Sequence, residues 1–112
     1  MPDRLVQTLA AGVGLVLATA GALAAPPAER QAELLHRLKH DCGSCHGMTL
    51  AGGLGPPLVP DAIEGRPAED LAWIIRHGLP GTPMPPWGFE IGADEALWLA
   101  RLLKQGIDDD GR

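Results

Sequence analysis

The 112-residue chain predicts an all-α fold, three main helices packed around one site. Three segments carry apolar residues at helical spacing, no segment reads as a convincing strand, and Cys42-Gly43-Ser44-Cys45-His46 forms a C-x-x-C-H run directly after the first helix. Two thiols at this spacing can each form a thioether with one haem vinyl group. The adjacent imidazole is then held where it can reach the iron. The run therefore specifies one covalent haem c and one axial ligand together, with Cys42 and Cys45 as attachment points and His46 on the metal.

Other uses of these residues fit less well. Structural zinc needs four ligands, and the chain has only two cysteines, with His36 and His40 upstream at no zinc spacing. A thioredoxin-like pair needs a βαβ setting. A plain disulfide leaves His46 without a role.

Taken in order, residues 1–24 read as a cleavable signal peptide and residues 25–112 as the domain. Arg4 gives a thin positive start, an apolar stretch runs from Leu9 to Ala20, and Ala22-Leu23-Ala24 has the small-x-small form of a cleavage site. Leu5 to Ala28 carries no charge and could instead be retained as an anchor. Either way the domain is expected outside the cytoplasmic membrane, in the periplasm, and in contact with a membrane only if the leader stays.

The first helix runs from Ala28 to about His40, with Ala32, Leu34, Leu35 and Leu38 on its apolar side. A Gly/Pro loop follows at Gly52-Gly53-Leu54-Gly55-Pro56-Pro57. The second helix spans Pro67 to His77: proline opens it, Glu69 and Asp70 suit its first turn, and Gly78 stops it. Leu71, Trp73, Ile74 and Ile75 form its expected buried side. A second stiff loop, Gly78 to Gly88, carries Pro83-Met84-Pro85-Pro86, where proline removes amide donors and forbids a helix interior. The third helix spans Ala93 to Gln105, with Leu97, Ala100 and Leu103 on one face and Trp98 and Leu102 widening it.

A haem bound by one imidazole has a second axial position. His40 and Met48 lie too near the attachment run to pass round the macrocycle, since an extended chain covers only about 3.5 Å per residue. His36 has the same difficulty. Met84 is remote from His46 and sits in a proline-braced loop, which makes it the favoured sixth ligand. His77 is the rival, although a histidine ending a helix is often only a favourable C-terminal residue.

One Phe, three Trp and no Tyr give little aromatic area for a core, so the chain is expected to fold only around its haem. Net charge is −5, which disfavours nucleic-acid binding. The charge is uneven, with an acid-rich stretch from Asp61 to Asp70 and an acidic Asp108-Asp109-Asp110 tail, against Arg37, Lys39 and His40 before the haem run. Such asymmetry can orient a redox partner. No paired carboxylates, activated nucleophile or phosphate loop stands beside the site, so an enzyme is not expected.

Over residues 29–106 the chain resembles the small class I cytochromes c: helix, C-x-x-C-H, Gly55-Pro56-Pro57-Leu58 turn, helix ending in glycine, Met-Pro loop, C-terminal helix. The resemblance implies the class I cytochrome c fold. It also implies that the Pro56 carbonyl accepts the ring N–H of the iron-bound histidine. Leu35, Leu38, Leu97 and Trp98 become the expected haem contacts where the first and last helices cross. Within that class, Asp41-Cys42-Gly43-Ser44-Cys45-His46-Gly47-Met48, Gly52-Gly53-Leu54-Gly55-Pro56 and Pro80-Gly81-Thr82-Pro83-Met84-Pro85-Pro86-Trp87 are similar to cytochrome c-55X, the small periplasmic cytochrome encoded with cytochrome cd1 nitrite reductase in denitrifying bacteria. That likeness implies a monomeric one-electron carrier whose partners are redox proteins: cytochrome cd1 nitrite reductase, or alternatively a haem d1 maturation enzyme for which the chain accepts electrons or binds the tetrapyrrole. A ligand-sensing or peroxidatic haem protein whose Met84 dissociates is a more distant alternative.

Overall fold

The computed structural model describes residues 10–15 and 25–108. Apart from residues 10–15, the expected signal peptide lies outside the described residues, as do Asp109 and Asp110 of the tail. The described residues form five α-helices and no strand: α1 (Ala28–Arg37), continued by a π-turn over Leu38–Cys42, then α2 (Gly43–His46), α3 (Pro60–Ile63), α4 (Ala68–His77) and α5 (Ala93–Gln105). None is long and apolar enough to cross a membrane.

The three expected helices are present. The first is interrupted where the sequence pattern ran on: at Leu38 the ladder lengthens to i→i+5, and the Gly43 N–H reaches the Leu38 carbonyl. The extra residue has a consequence for the attachment run. In an unbroken α-helix Cys42 would follow Leu34 and Leu38 at four-residue spacing and sit in the core. The π-turn gives that buried seat to Gly43 and leaves Cys42 half-buried. The short helix α3, opened by Pro60, lies inside the acid-rich stretch and has too few residues to show a period.

Ten aliphatic residues make one core: Leu34 and Leu38 from the first segment, Ile63 from α3, Leu71 and Ala72 from α4, Ile91 before α5, and Ala96, Leu99, Ala100 and Leu103 from α5. Helix α4 packs chiefly on α5. Small side chains at Ala72, Ala96 and Ala100 permit the close approach. The buried stripe of α5 is Ala96, Leu99, Ala100 and Leu103, while Leu97, Trp98 and Leu102 are only half-buried at its flanks. On α4 the expected burial of Trp73 is corrected, since its side chain is 54 % exposed. A 200° turn from Leu71 places Trp73 opposite the core stripe, and Ala72 fills the narrow seam instead. Ala32, expected on the apolar side of α1, is exposed as well.

Charged residues tie α1 to the far end of the chain. The Arg30 guanidinium donates to both carboxylate oxygens of Glu95, to the Glu90 carbonyl at 2.7 Å, and pairs with Glu33 at 2.9 Å. Arg37 pairs with Glu90 and, at 3.6 Å, with Asp41. Glu95 also accepts the Gly92 N–H at 2.9 Å, closing the first turn of α5. Lys104 crosses from α5 to the end of α3, donating to the carbonyls of Ile63, Glu64 and Arg66.

The Arg30 hydrogen bonds hold the Glu95 carboxyl below the usual carboxylate range, partial burial opposing them and the Gly92 N–H assisting. A carboxyl depressed on folding adds stability in full above its ordinary value, about pH 4.3, and loses it as pH falls through the folded value. The urea midpoint of the holoprotein is therefore expected to drop on acidification below about pH 5. Glu95→Gln should be less stable near neutrality and show a smaller drop, measured by denaturation at a series of pH values.

Candidate haem-attachment site

The π-turn and α2 carry the attachment run as one piece, with Cys42 and Cys45 both half-buried. Burial, with Asp41 adding to it, pushes the Cys42 thiol up to about 11. Ser44 donates back to the Asp41 carbonyl at 2.6 Å, fixing the turn between the two cysteines.

His46 ends α2, and its Nδ1 lies 2.7 Å from the Pro56 carbonyl. A carbonyl can only accept, so Nδ1 carries the proton and Nε2 presents its lone pair. The loop between them is folded to make this contact. Gly55 N donates to the Cys45 carbonyl at 2.8 Å, Gly52 N to the His46 carbonyl at 2.8 Å, and Leu58 N to Leu50 at 2.8 Å. Gly55 packs so tightly on the imidazole that a Cβ there would lie 2.8 Å from both Cε1 and Nδ1. Leu50 takes a left-handed conformation at φ 61°, costing about 1–2 kcal/mol, and its side chain packs against the core.

Met84 stands half-buried in the second loop, well held by its backbone. Its carbonyl accepts the Leu79 N–H at 3.2 Å, and its own N–H reaches Thr82 Oγ1 at 3.3 Å. Gly78, at φ 70°, lets the loop lie on the end of α4, since a Cβ there would meet the Met84 carbonyl oxygen at 2.7 Å. Beyond Met84, Trp87 N donates to Ile75 at 2.9 Å and Gly88 N to Arg76 at 3.0 Å, stapling the loop along α4.

The remaining ligand candidates have contacts of their own. Met48 is 54 % exposed and its sulfur packs over Gly43, beside the attachment run. His36 and His40 lie against each other, ring centroids 4.3 Å apart and planes tilted. His77 is stacked on Trp73 at 4.4 Å and 16°, with its Nδ1 donating to the Trp73 carbonyl at 2.9 Å. The sequence marks Gly55 as a turn residue and Gly78 as a helix stop, but shows neither their close backbone contacts nor the left-handed Leu50. Only the Gly-rich loop composition hinted at positions where backbone must approach closely.

Two neighbouring cysteines and an imidazole whose Nε2 is uncommitted are residues that fit haem c. Fold and site together define a c-type cytochrome. A family model described as cytochrome c oxidase, cbb3-type, subunit III matches residues 26–103. The chain is 52 % identical over 81 residues to cytochrome c55X of Pseudomonas aeruginosa, covering 72 % of this chain and 68 % of that protein. The solved c-type cytochrome NirC superposes with a TM-score of 0.70 at 52 % identity, over 71 % of this chain and 94 % of that one. The chain belongs to the cytochrome c55X family, with one covalent haem c, and is an electron carrier rather than an enzyme. It is also similar to part of dihydro-haem d1 dehydrogenase NirN, solved in complex with DHE: TM-score 0.56, 31 % identity, 70 % of this chain but 16 % of that one.

Gly55→Ala drives a methyl group into the His46 ring and is expected to destabilise the holoprotein by about 1–3 kcal/mol in urea denaturation. Gly65→Ala, where a Cβ meets nothing within 4 Å, should change stability by less than about 0.5 kcal/mol.

Proposed function

We propose that Cys42 and Cys45 hold the haem as thioethers and that His46 and Met84 are the two axial ligands. On this reading the protein carries single electrons in the periplasm to cytochrome cd1 nitrite reductase. The observation that carries the ligand assignment is the 2.7 Å contact of His46 Nδ1 with the Pro56 carbonyl, which leaves Nε2 free for iron. When bound, the haem supplies a one-electron couple between Fe(II) and Fe(III). Pro56 keeps the imidazole in one tautomer and raises its basicity as a ligand. The stapled Leu79–Gly88 loop holds Met84, and the engagement of His77 with Trp73 within α4 favours the methionine over its rival.

Partner contact on this reading is brief and centred near the attachment run. Leu54 projects from the Gly53–Gly55 turn, 95 % exposed, and supplies an apolar contact beside the His46 loop. Asp61, Glu64, Glu69 and Asp70 are all exposed, and on this reading these carboxylates steer a basic partner surface.

A second reading has specific support. The relative dihydro-haem d1 dehydrogenase contains a stretch 33 % identical to this chain over 84 residues, only 16 % of its own length. A carrier of this kind would serve as electron acceptor, or tetrapyrrole-binding accessory, in haem d1 biosynthesis.

Met84→Ala is expected to abolish the weak long-wavelength sulfur–iron band of the oxidised protein and to let the reduced protein bind carbon monoxide. His77→Ala should keep the band and exclude carbon monoxide; the reverse pattern would transfer the ligand role to His77. For the partner, stopped-flow mixing of the reduced protein with oxidised cytochrome cd1 should give rapid, salt-sensitive oxidation. Slow oxidation there, with rapid reduction of the oxidised protein by a dihydro-haem d1 dehydrogenase and its substrate, would favour the second reading.

A further inference from the structure

We propose that His36 and His40 form a surface chelate for a first-row divalent ion of the Cu(II) or Ni(II) type, separate from the haem site. Both imidazoles are exposed, with ring centroids 4.3 Å apart and planes tilted by 44°. In a regular α-helix residues four apart are offset by about 40° around the axis. The π-turn that begins at Leu38 falls between these two histidines, under-winds the chain and brings His40 back over His36.

The spacing favours one coordination geometry. With metal–nitrogen bonds of about 2.1 Å, two imidazoles at a right angle about one ion have centroids about 4.6 Å apart, and at a tetrahedral angle about 5.3 Å. The observed 4.3 Å lies nearer the right angle, the arrangement of tetragonal N,O sites that suit Cu(II) and Ni(II). The ring nitrogens are also available. His46 and His77 commit Nδ1 to backbone carbonyls, whereas among the described residues neither ring nitrogen of His36 or His40 takes part in a hydrogen bond. Of the two intervening cations, Arg37 is drawn away to Glu90 and Asp41, and Lys39 is exposed to solvent. The described residues hold no cluster of three or more His, Cys, Asp or Glu side chains that could enclose an ion, so water completes the coordination.

Titrating the holoprotein with Cu(II), followed by calorimetry and electron paramagnetic resonance, tests the site. One ion is expected to bind with hyperfine coupling to two imidazole nitrogens. His36→Ala and His40→Ala should each weaken that binding about a hundredfold, the loss of a tethered second ligand, with the haem visible spectrum unchanged as evidence of intact folding. His77→Ala should leave the affinity as it was. Affinity unchanged in both the His36 and His40 variants would mean an adventitious ion only, and coupling to a single nitrogen would equally overturn the chelate.

Discussion

The hydrogen bond from His46 Nδ1 to the Pro56 carbonyl is the contact on which the arrangement of the site rests. A histidine with both nitrogens facing water exchanges its proton between them and rotates. Here proline supplies an acceptor that has no amide donor of its own, at the end of a loop folded back by backbone hydrogen bonds to Cys45 and His46. The tautomer is thereby set by main-chain geometry rather than by another side chain. The left-handed Leu50 and the close packing of Gly55 on the ring are the local costs of bringing that carbonyl into line.

The loop that carries Met84 is fixed by the same means further along the chain. It is stapled to α4 through the carbonyls of Ile75 and Arg76, and Gly78 and Gly88 carry no Cβ to block the approach. Downstream, Glu90 meets both Arg30 and Arg37, so the exit of the loop is tied to α1, the helix that leads into the attachment run. The attachment run and the Met84 loop are linked through α1 as well as through the core.

Much of this was legible in the sequence because the relevant signals are local. C-x-x-C-H needs only adjacency, and the third helix is bounded from Ala93 to Gln105 by acids, bases and a terminal glycine. The π-turn was not legible, because inserting one residue alters the helical phase without leaving a breaker residue such as Pro or Gly inside it. Its effects, burial of Gly43 in place of Cys42 and the meeting of His36 with His40, therefore escaped a reading based on one period. The exposure of Trp73 escaped for a related reason. Hydrophobicity ranks Trp73 above Ala72, but the seam between α4 and α5 selects for size, and only the tertiary packing reveals how narrow it is.

The energetics explain why backbone contacts, rather than a large core, must hold the ligand-bearing segments. The largest fully buried side chains among the described residues are only Leu34, Ile91 and Leu99, and partly exposed ion pairs contribute little in water. Hydrogen bonds between main-chain groups need no long side chain to be immobilised, so each fixes position at a smaller entropic cost than a Lys or Arg contact does. For a carrier of single electrons this matters beyond stability. A loop anchored through its own amides and carbonyls has few soft rotamers through which to relax when charge changes nearby. A loop held in this way rearranges little when charge changes nearby, which favours rapid transfer in both directions.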